Sequence, residues 1–366
     1  MLAWVAAALV LGACVFCVLA TLAARDYLRQ PEAQLEEPVS ILKPLRGADL
    51  GLEDNLRSFF EQNYSPFELV FAIQEPADPA TDIAGRLMDE YPRVPARIIF
   101  TGAPPDGWHN AKCWQLHRAW PELRHDFVLM SDSDIRVKRD FLSGLDPAFD
   151  LATCPYRAVG GPSFWSRTEA LGMNTEFLAG VLTARYLEGV KFAVGPTLYC
   201  RKKVIDAVGG WKELSEFLAE DFVLGQRAAG RGFRVGLSRQ IVEHRIGSEP
   251  MAANFAHRLR WHRSTRRSRP AGYFGQLFTM PLPLAAMLLL VAPGWWPLAL
   301  GAVAMRLAAA RATLEIVEAP LEPLLLVAQD FLSFGFWIAG FFGDSIEWRG
   351  RKFRLHKDGR FTRMSG

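Results

Sequence analysis

Ser131–Val137 reads SDSDIRV and follows the apolar run Asp126–Met130, so it marks the carboxyl end of a buried strand. Asp132 and Asp134 stand one residue apart there. On an extended strand they would point to opposite faces. Where the strand ends and the chain turns, both carboxylates can converge on one divalent cation, which holds a metal-bound diphosphate without a glycine-rich phosphate loop. Asp and Ser are also ordinary turn residues, so the pair alone does not decide a function. Its surroundings do.

Outward from this strand, from Val39 to about Glu243, short apolar runs alternate with helical stretches, the pattern of an α/β domain with a largely parallel sheet. Strands are expected at Val39–Leu42, Glu68–Ile73, Ala96–Thr101 and Cys154–Gly161. Helices are expected at Gly51–Gln62, Thr81–Tyr91, Ala111–Ala119 and Thr168–Leu187. Ligands of open α/β sheets bind beyond the carboxyl ends of the strands. Asp78, after the second strand, should therefore lie along the same edge as Asp132 and Asp134. Further on, Glu220-Asp221 begins a helix ahead of FVLGQRAAGRG. An acidic pair there suits the helix dipole, and a carboxylate beyond a metal site is also what a hydroxyl nucleophile needs as its base.

The chain of 366 residues is 50% hydrophobic, with a mean hydropathy of +0.06, which implies that part of it lies in lipid. Its formal charge of +3 is too small to argue for nucleic acid. The five cysteines follow neither a disulfide nor a zinc spacing, and suit a reducing compartment. Leu2–Ala24 is uncharged and long enough to span a bilayer; the positive charges Arg25 and Arg29 follow it, which favours an anchor over a signal peptide and puts the next segment in the cytoplasm. The expected organisation is an anchor at 1–24, a polar linker at 25–38 and a catalytic domain at 39–249. A basic interfacial helix at 250–272 follows, then a transmembrane hairpin at 273–312, an apolar stretch at 320–344 and a basic cytoplasmic tail at 345–366.

Three apolar stretches stand in the C-terminal region, Phe274–Ala292, Trp295–Ala310 and Leu321–Phe342, and the third carries Gln329-Asp330 near its middle. The basic segment before the first and the basic tail after the last both favour the cytoplasm, which calls for an even number of crossings. An unpaired carboxylate at bilayer centre costs about 2.5–3.5 kcal/mol, so the first two are expected to form a hairpin and the third to be interfacial or re-entrant. The Arg-rich segment Asn254–Pro270 reads more simply as a cytoplasmic surface helix before a membrane run than as a nucleic-acid patch. Within it, His257-Arg258-Leu259-Arg260-Trp261 has the form HxxRW. Arg can fork onto phosphate oxygens and Trp can wall a sugar or lipid.

A strand-end Asp, DxD, an acidic pair ending in Asp and a residue-xx-Arg-Trp motif before C-terminal membrane helices together resemble the ceramide glucosyltransferases and the related bacterial hopanoid-lipid glycosyltransferases. These are family-2-type enzymes with a GT-A fold. The blocks ILKPLRG, QEPADPA, SDSDIRV, AEDF, RLRW and IEWRGRKFRL carry the resemblance over nearly the whole chain. It implies a GT-A α/β domain with N- and C-terminal transmembrane helices, and an inverting transferase moving a hexose from a UDP-sugar to a hydroxyl of a membrane lipid. The pairs it leaves open are UDP-glucose with ceramide and UDP-N-acetylglucosamine with a hopanoid such as bacteriohopanetetrol. It implies Mn2+ or Mg2+ on Asp134, and Asp78, Lys112 and Asp132 on the donor side. Asp221 would be the base, with His257, Arg260 and Trp261 as the catalytic signature. The placement implied is a multi-pass protein of the bacterial inner membrane with its catalytic domain in the cytoplasm.

The chain departs from the family at His257, where animal enzymes have Gln or Arg, and at Trp114-Gln115, which replace an Asn pair, so the sugar stays open. The same motifs would suit a processive polysaccharide synthase, and paired carboxylates on an α/β sheet a nucleotidyltransferase. A non-enzymatic nucleotide-sugar or lipid-binding membrane protein would leave Asp221 dispensable.

Overall fold

The computed structural model describes residues 1–248, 250–348 and 351–364. Glu249, the expected end of the catalytic domain, and Arg349-Gly350 of the basic tail lie outside them. The elements used below are α1 (Leu2–Leu28), β1 (Val39–Leu45), α2 (Leu52–Phe60), β2 (Phe67–Ile73), α3 (Pro79–Glu90), β3 (Ala96–Phe100), α4 (Ala111–Ala119), β4 (Phe127–Ser131) and β5 (Leu151–Thr153). They continue with α5 (Phe164–Gly172), α6 (Leu178–Glu188), β6 (Thr197–Arg201), α7 (Glu220–Gly230), β7 (Val235–Leu237), α8 (Met251–Ser268), α9 (Pro281–Val291), α10 (Trp296–Ile316) and α11 (Pro323–Gly340).

The chain folds as two compact units. A sheet unit comprises Pro31–Tyr156, Val190–Arg245 and the segment from Gly359; a helical unit comprises Met1–Gln30, Arg157–Gly189 and Ile246–Asp358. The expected continuous catalytic domain is thus interrupted. Its stretch Arg157–Gly189 joins the apolar helices because Ala179 of α6 is buried with Cys17 and Ala20 of α1 and Ala309 of α10.

In the sheet unit the strand order is β3-β2-β1-β4-β6-β5-β7. The first four strands run parallel, β6 is antiparallel to β4 and β5, and β7 returns parallel to β5, so the sheet is mixed. β1, β2 and β4 are buried at every position, as continuous apolar strands covered on both faces require. β1 runs beyond the expected Leu42 through Pro44 to Leu45. The reason lies in the pairing: β4 accompanies β1 only as far as Leu42, so Pro44 has a ladder partner on one side alone, where a missing N–H is tolerated. Since β1, β2 and β4 are parallel, their carboxyl ends share one edge of the sheet. Phe361 also belongs to this unit; it is fully buried, and its N–H donates to the Glu216 carbonyl at 3.0 Å. The segment expected to be wholly a tail therefore sends one side chain, Phe361, into the sheet unit.

In the helical unit, Ala7, Val10, Ala13 and Cys14 of α1 pack with Leu284, Ala285 and Leu288 of α9 and with Ala299 and Ala302 of α10. Small side chains let these backbones approach closely, which is how helices associate in lipid. Gly12 takes this furthest: a Cβ there would stand 2.7 Å from the Phe278 ring. Among the described residues three helices are long and apolar enough to cross a membrane, Leu2–Leu28, Pro293–Ile316 and Pro323–Gly340, and Pro270–Thr279 with Pro281–Val291 forms an apolar pair bent by 66°. The break thus falls in the first C-terminal stretch, where Pro281 and Pro283 interrupt the backbone ladder.

The carboxylate in the middle of α11 is not unpaired. Asp330 is fully buried and is paired with Arg306 of α10, whose Nη2 and Nε reach its two oxygens at 2.7 and 3.0 Å. Leu324, Val327, Phe331 and Ile338 form the exposed apolar side of α11. The expected basic face of α8 is also partly used inside the protein. Arg263 donates to the carbonyls of Phe342 and Ser345 at 3.0 and 2.6 Å, and Arg266 to those of Phe341 and Gly343. Cations at a helix carboxyl end satisfy its orphan carbonyls and its dipole.

Breaking a buried ion pair leaves one charge without its partner, so Arg306→Met should cost about 3–5 kcal/mol of stability. Arg306→Met combined with Asp330→Leu should recover most of that loss. Thermal unfolding of the purified full chain in detergent measures both.

Candidate active site

The backbone around the acidic loop after β4 is fixed from several sides. Lys43 of β1 is fully buried, and its ammonium donates to the Asp132 carbonyl at 2.8 Å and to Ser131 Oγ at 3.3 Å. It lies 3.8 Å from the centre of the Phe59 ring. Burial lowers the Lys43 pKa to about 7, against the pull of Asp132 and Asp134. The Asp132 N–H donates to the Pro196 carbonyl at 2.9 Å, and Asn55 Nδ2 to the Ser133 carbonyl at 3.2 Å. The two carboxylates are thus aimed by a rigid loop.

They face different partners. Asp132 Oδ1 is 2.6 Å from Lys112 Nζ on α4. Asp134 Oδ2 is 3.1 Å from His244 Nε2. His244 stands opposite Ile135 in a short antiparallel pairing, and the Arg245 N–H donates to the Asp134 carbonyl at 2.8 Å. Burial favours the neutral acid at Asp134, but His244 and Lys43 outweigh it and hold the carboxyl below the usual range.

Lys112 joins this loop to α7. Its Nζ lies 3.6 Å from Glu220 Oε1 and donates to the Gly195 carbonyl at 3.5 Å. Burial disfavours its charge, yet Asp132, Glu220 and Asp221 keep its pKa above the ordinary lysine value. Asn110 has two tasks: its Oδ1 accepts from the N–H groups of Lys112 and Cys113, capping α4, while its Nδ2 donates to Glu220 Oε2 at 3.1 Å. Asp221 sits in the first turn of α7, as expected. A Cβ on Gly195 would come within 2.8 Å of Asp221 Oδ2, so glycine is what lets this carboxylate lie against the chain. Burial raises the Glu220 pKa to about 7, and burial likewise raises that of Asp221. Two adjacent half-buried carboxylates facing one ammonium hold a proton more readily than free ones.

Asp78 caps α3 after β2. Its Oδ1 accepts from the N–H groups of Gly47 and Ala80 at 2.8 and 2.9 Å, which ties the loop after β1 to α3. Gln115 Nε2 donates to the carbonyls of Leu45 and Ala72 at 2.8 and 3.0 Å, and Trp114 Nε1 to that of Gly102 at 3.0 Å. The departures at Trp114 and Gln115 thus serve to seat α4 on the strand ends.

Of the expected site residues, Asp78, Lys112, Asp132, Asp134 and Asp221 belong to the sheet unit. His257, Arg260 and Trp261 belong to α8 in the helical unit. There His257 Nδ1 lies 2.8 Å from Glu169 Oε1, and its ring meets Trp261 edge-on at 5.3 Å. Lys43 and His244 were not anticipated. A lysine inside the apolar strand VSILKPL was the visible sign of the first; nothing in the sequence places His244 opposite Ile135.

The acidic loop fits a divalent cation. Asp134 Oδ1 is buried and accepts no hydrogen bond. Among the described residues no three His, Cys, Asp or Glu side chains form a complete cage. One or two carboxylates with the remaining positions left to phosphate oxygens and water is how Mg2+ is held in phosphate-binding sites.

The chain is 27% identical over 230 residues to ceramide glucosyltransferase 1 of Caenorhabditis elegans, covering 61% of this chain and 48% of that one. It is 32% identical over 109 residues to the ceramide glucosyltransferase of Komagataella phaffii, covering 29% and 21%. The chain therefore spans less than half the length of these relatives. Among solved structures it resembles the mannosyltransferase PcManGT of Pyrobaculum calidifontis, in complex with GDP-mannose and Mn2+, with a TM-score of 0.54 at 18% identity over 93% of this chain and 98% of that one. That likeness shows a fold of the GT-A type. The model of glycosyl transferase family 21 matches residues 4–361, and the chain belongs to that family.

Proposed function

We propose that this chain is an inverting glycosyltransferase that moves a hexose from a UDP-sugar to a hydroxyl of a membrane lipid. UDP-glucose with ceramide is the pairing that its relatives' names favour, and UDP-N-acetylglucosamine with a hopanoid the alternative. The observation that carries this reading is the chain of contacts Asp132–Lys112–Glu220, which joins a diphosphate-type acidic loop to a helix start bearing the half-buried carboxylate Asp221. A divalent cation at Asp134, with Asp132 beside it, would supply charge neutralisation for a departing diphosphate. Lys112 fixes Asp132, and Lys43 and His244 fix the loop and Asp134. Asp221 takes the proton of the acceptor hydroxyl as the new carbon–oxygen bond forms and the bond from the anomeric carbon to the diphosphate breaks. A single displacement inverts that carbon. Arg260 and Trp261 are assigned to the diphosphate and acceptor through the motif they complete, with His257 as its first residue, and Asp78 to the donor side. The three membrane-length helices support a membrane protein. Arg25 in the last turn of α1 and Arg29 just past it favour a cytoplasmic catalytic unit, at the inner membrane if the host is a bacterium.

The decisive experiment incubates the purified full chain with each UDP-sugar and each lipid, and reads UDP release and the lipid product by mass spectrometry. UDP release that no lipid stimulates would overturn the reading. Asp134→Ala should abolish turnover and the dependence of UDP binding on Mn2+ or Mg2+, measured by calorimetry, and leave the circular dichroism spectrum unchanged. Asp221→Asn should keep UDP binding and lower kcat by about 10²–10⁴, the usual contribution of a general base; near-normal transfer would move the role to Glu220.

The pH profile follows from the raised carboxyl pKa values. A base works only when ionised, so kcat should fall as pH drops through the raised pKa of Asp221. Glu220→Gln removes an adjacent negative charge, so the acid limb should move to lower pH. The same variant has a stability consequence. A carboxyl whose folded pKa is raised from 4.5 to about 7 binds its proton more tightly when folded, so the native chain loses stability as pH rises between those values. Glu220→Gln should therefore unfold at a higher temperature than the unsubstituted chain at pH 8 and show little difference at pH 4.

A further inference from the structure

Inside the helical unit a seam of polar side chains runs between helices that otherwise pack through apolar ones. Each of three helical segments contributes two of them at helix-face spacing. Asn254 and Arg258 come from α8, Gln329 and Ser333 from α11, and Glu169 of α5 is followed a face-repeat later by Glu176. Glu176 lies on the π-helical turn Met173–Phe177 that joins α5 to α6. The bonding within the seam is extensive. Arg258 Nη2 donates to Gln329 Oε1 at 2.9 Å and to Ser333 Oγ at 3.3 Å, and Gln329 Nε2 donates to Ser333 Oγ at 2.6 Å. Gln329 Nε2 also reaches Glu176 Oε2 at 3.5 Å, and Asn254 Nδ2 donates to Glu169 Oε2. A Cβ on Gly172 would stand 2.2 Å from Gln329 Nε2, so the glycine makes room for this amide.

Among the described residues, two atoms of the seam have no hydrogen-bond partner: Arg258 Nη1, on a residue 7% exposed, and Asn254 Oδ1, on one 1% exposed. They belong to residues four apart, so a donor and an acceptor are offered from one face of α8. An unused buried donor and acceptor each cost stability, and a π-helical turn is a frequent mark of a functional site. Neither follows from packing alone. The charges say what would fit. Glu169, Glu176 and Asp330 set three carboxylates against the guanidiniums of Arg258 and Arg306, which disfavours an anionic head group.

We propose that Asn254 and Arg258, backed by Gln329, Ser333, Glu169 and Glu176, seat the neutral polar head of the lipid acceptor. Arg258 Nη1 donates to a carbonyl or hydroxyl oxygen of that head, and Asn254 Oδ1 accepts from a hydroxyl or amide N–H. The seat rests on the lipid-acceptor reading above and deepens it, since it selects a lipid alcohol that carries a second polar group. His257 lies on the same helix and is held by Glu169, so the HxxRW motif and the seat are positioned by one carboxylate.

The test uses the full chain in nanodiscs, with a short-chain ceramide and the same molecule lacking its secondary hydroxyl as probes. In the unsubstituted chain, loss of the hydroxyl should raise the acceptor KM about tenfold. Asn254→Ala, and Arg258→Lys, which keeps the charge but loses the fork, should raise the KM for ceramide by a similar factor. Both should reduce the discrimination between the two probes to less than threefold and leave the KM for the UDP-sugar within twofold. Because Arg258→Lys is the milder change, it keeps the test valid if Asn254→Ala fails to fold. Ceramide-stimulated turnover in which the variants still discriminate as the unsubstituted chain does would overturn the seat alone. UDP release that neither probe stimulates in the unsubstituted chain would overturn the ceramide reading and the seat with it.

Discussion

The ammonium of Lys112 holds the candidate site together. It lies half-buried between Asp132, which follows a strand, and Glu220, which begins a helix, and offsets the negative charge of both. Its position is set twice over: Asn110 caps the helix that carries it and bonds Glu220, and Gln115 fastens the same helix to the ends of two strands. Pre-organisation here is electrostatic. The acidic loop, the amine and the helix start form one network, and a shift of α4 would disturb all three together.

Buried charge is managed differently in the helical unit. Arg306 and Asp330 lie in a fork–fork pair, which makes two ionic side chains tolerable inside apolar helices. Near them the polar seam is bonded at most of its atoms but not at all of them. Complete pairing suits a structural device, and incomplete pairing suits a binding one. This difference separates the ion pair from the Asn254–Arg258 face.

Much of the architecture was legible in the sequence because it follows from apolar periodicity. The parallel strands at Val39, Glu68, Ala96 and Phe127, the helix starting at Ala111 and the acidic start of α7 stand where the pattern of apolar runs puts them. Two kinds of feature were not legible. Long-range pairings leave no local trace: His244 comes to Asp134 through strand pairing, and Arg306 comes to Asp330 through helix packing, which is why Asp330 read as an unpaired carboxylate. The division into units was hidden for a related reason, since a helical stretch inside an α/β pattern gives no sign that its partners are α1 and α10. In the candidate site, Asp132, Asp134, Lys112 and Asp221 were read as motif positions; Lys43 and Asn110 stand in similar blocks, ILKPLRG and Asn-x-Lys, but their long-range contacts to Asp132 and Glu220 are not encoded there.

The two units are interleaved along the chain: the sheet unit takes Pro31–Tyr156, then Val190–Arg245, then the segment from Gly359, with helical-unit sequence between each. Synthesis therefore begins the sheet unit, leaves it twice for membrane-associated helices, and supplies Phe361 to its core only after all of those helices have been made. Domains generally fold as units as they emerge, but this one cannot bury Phe361 before the last apolar helix has been made. Completion of the unit that carries the candidate site is thereby made to wait on the helical unit, a built-in order of assembly.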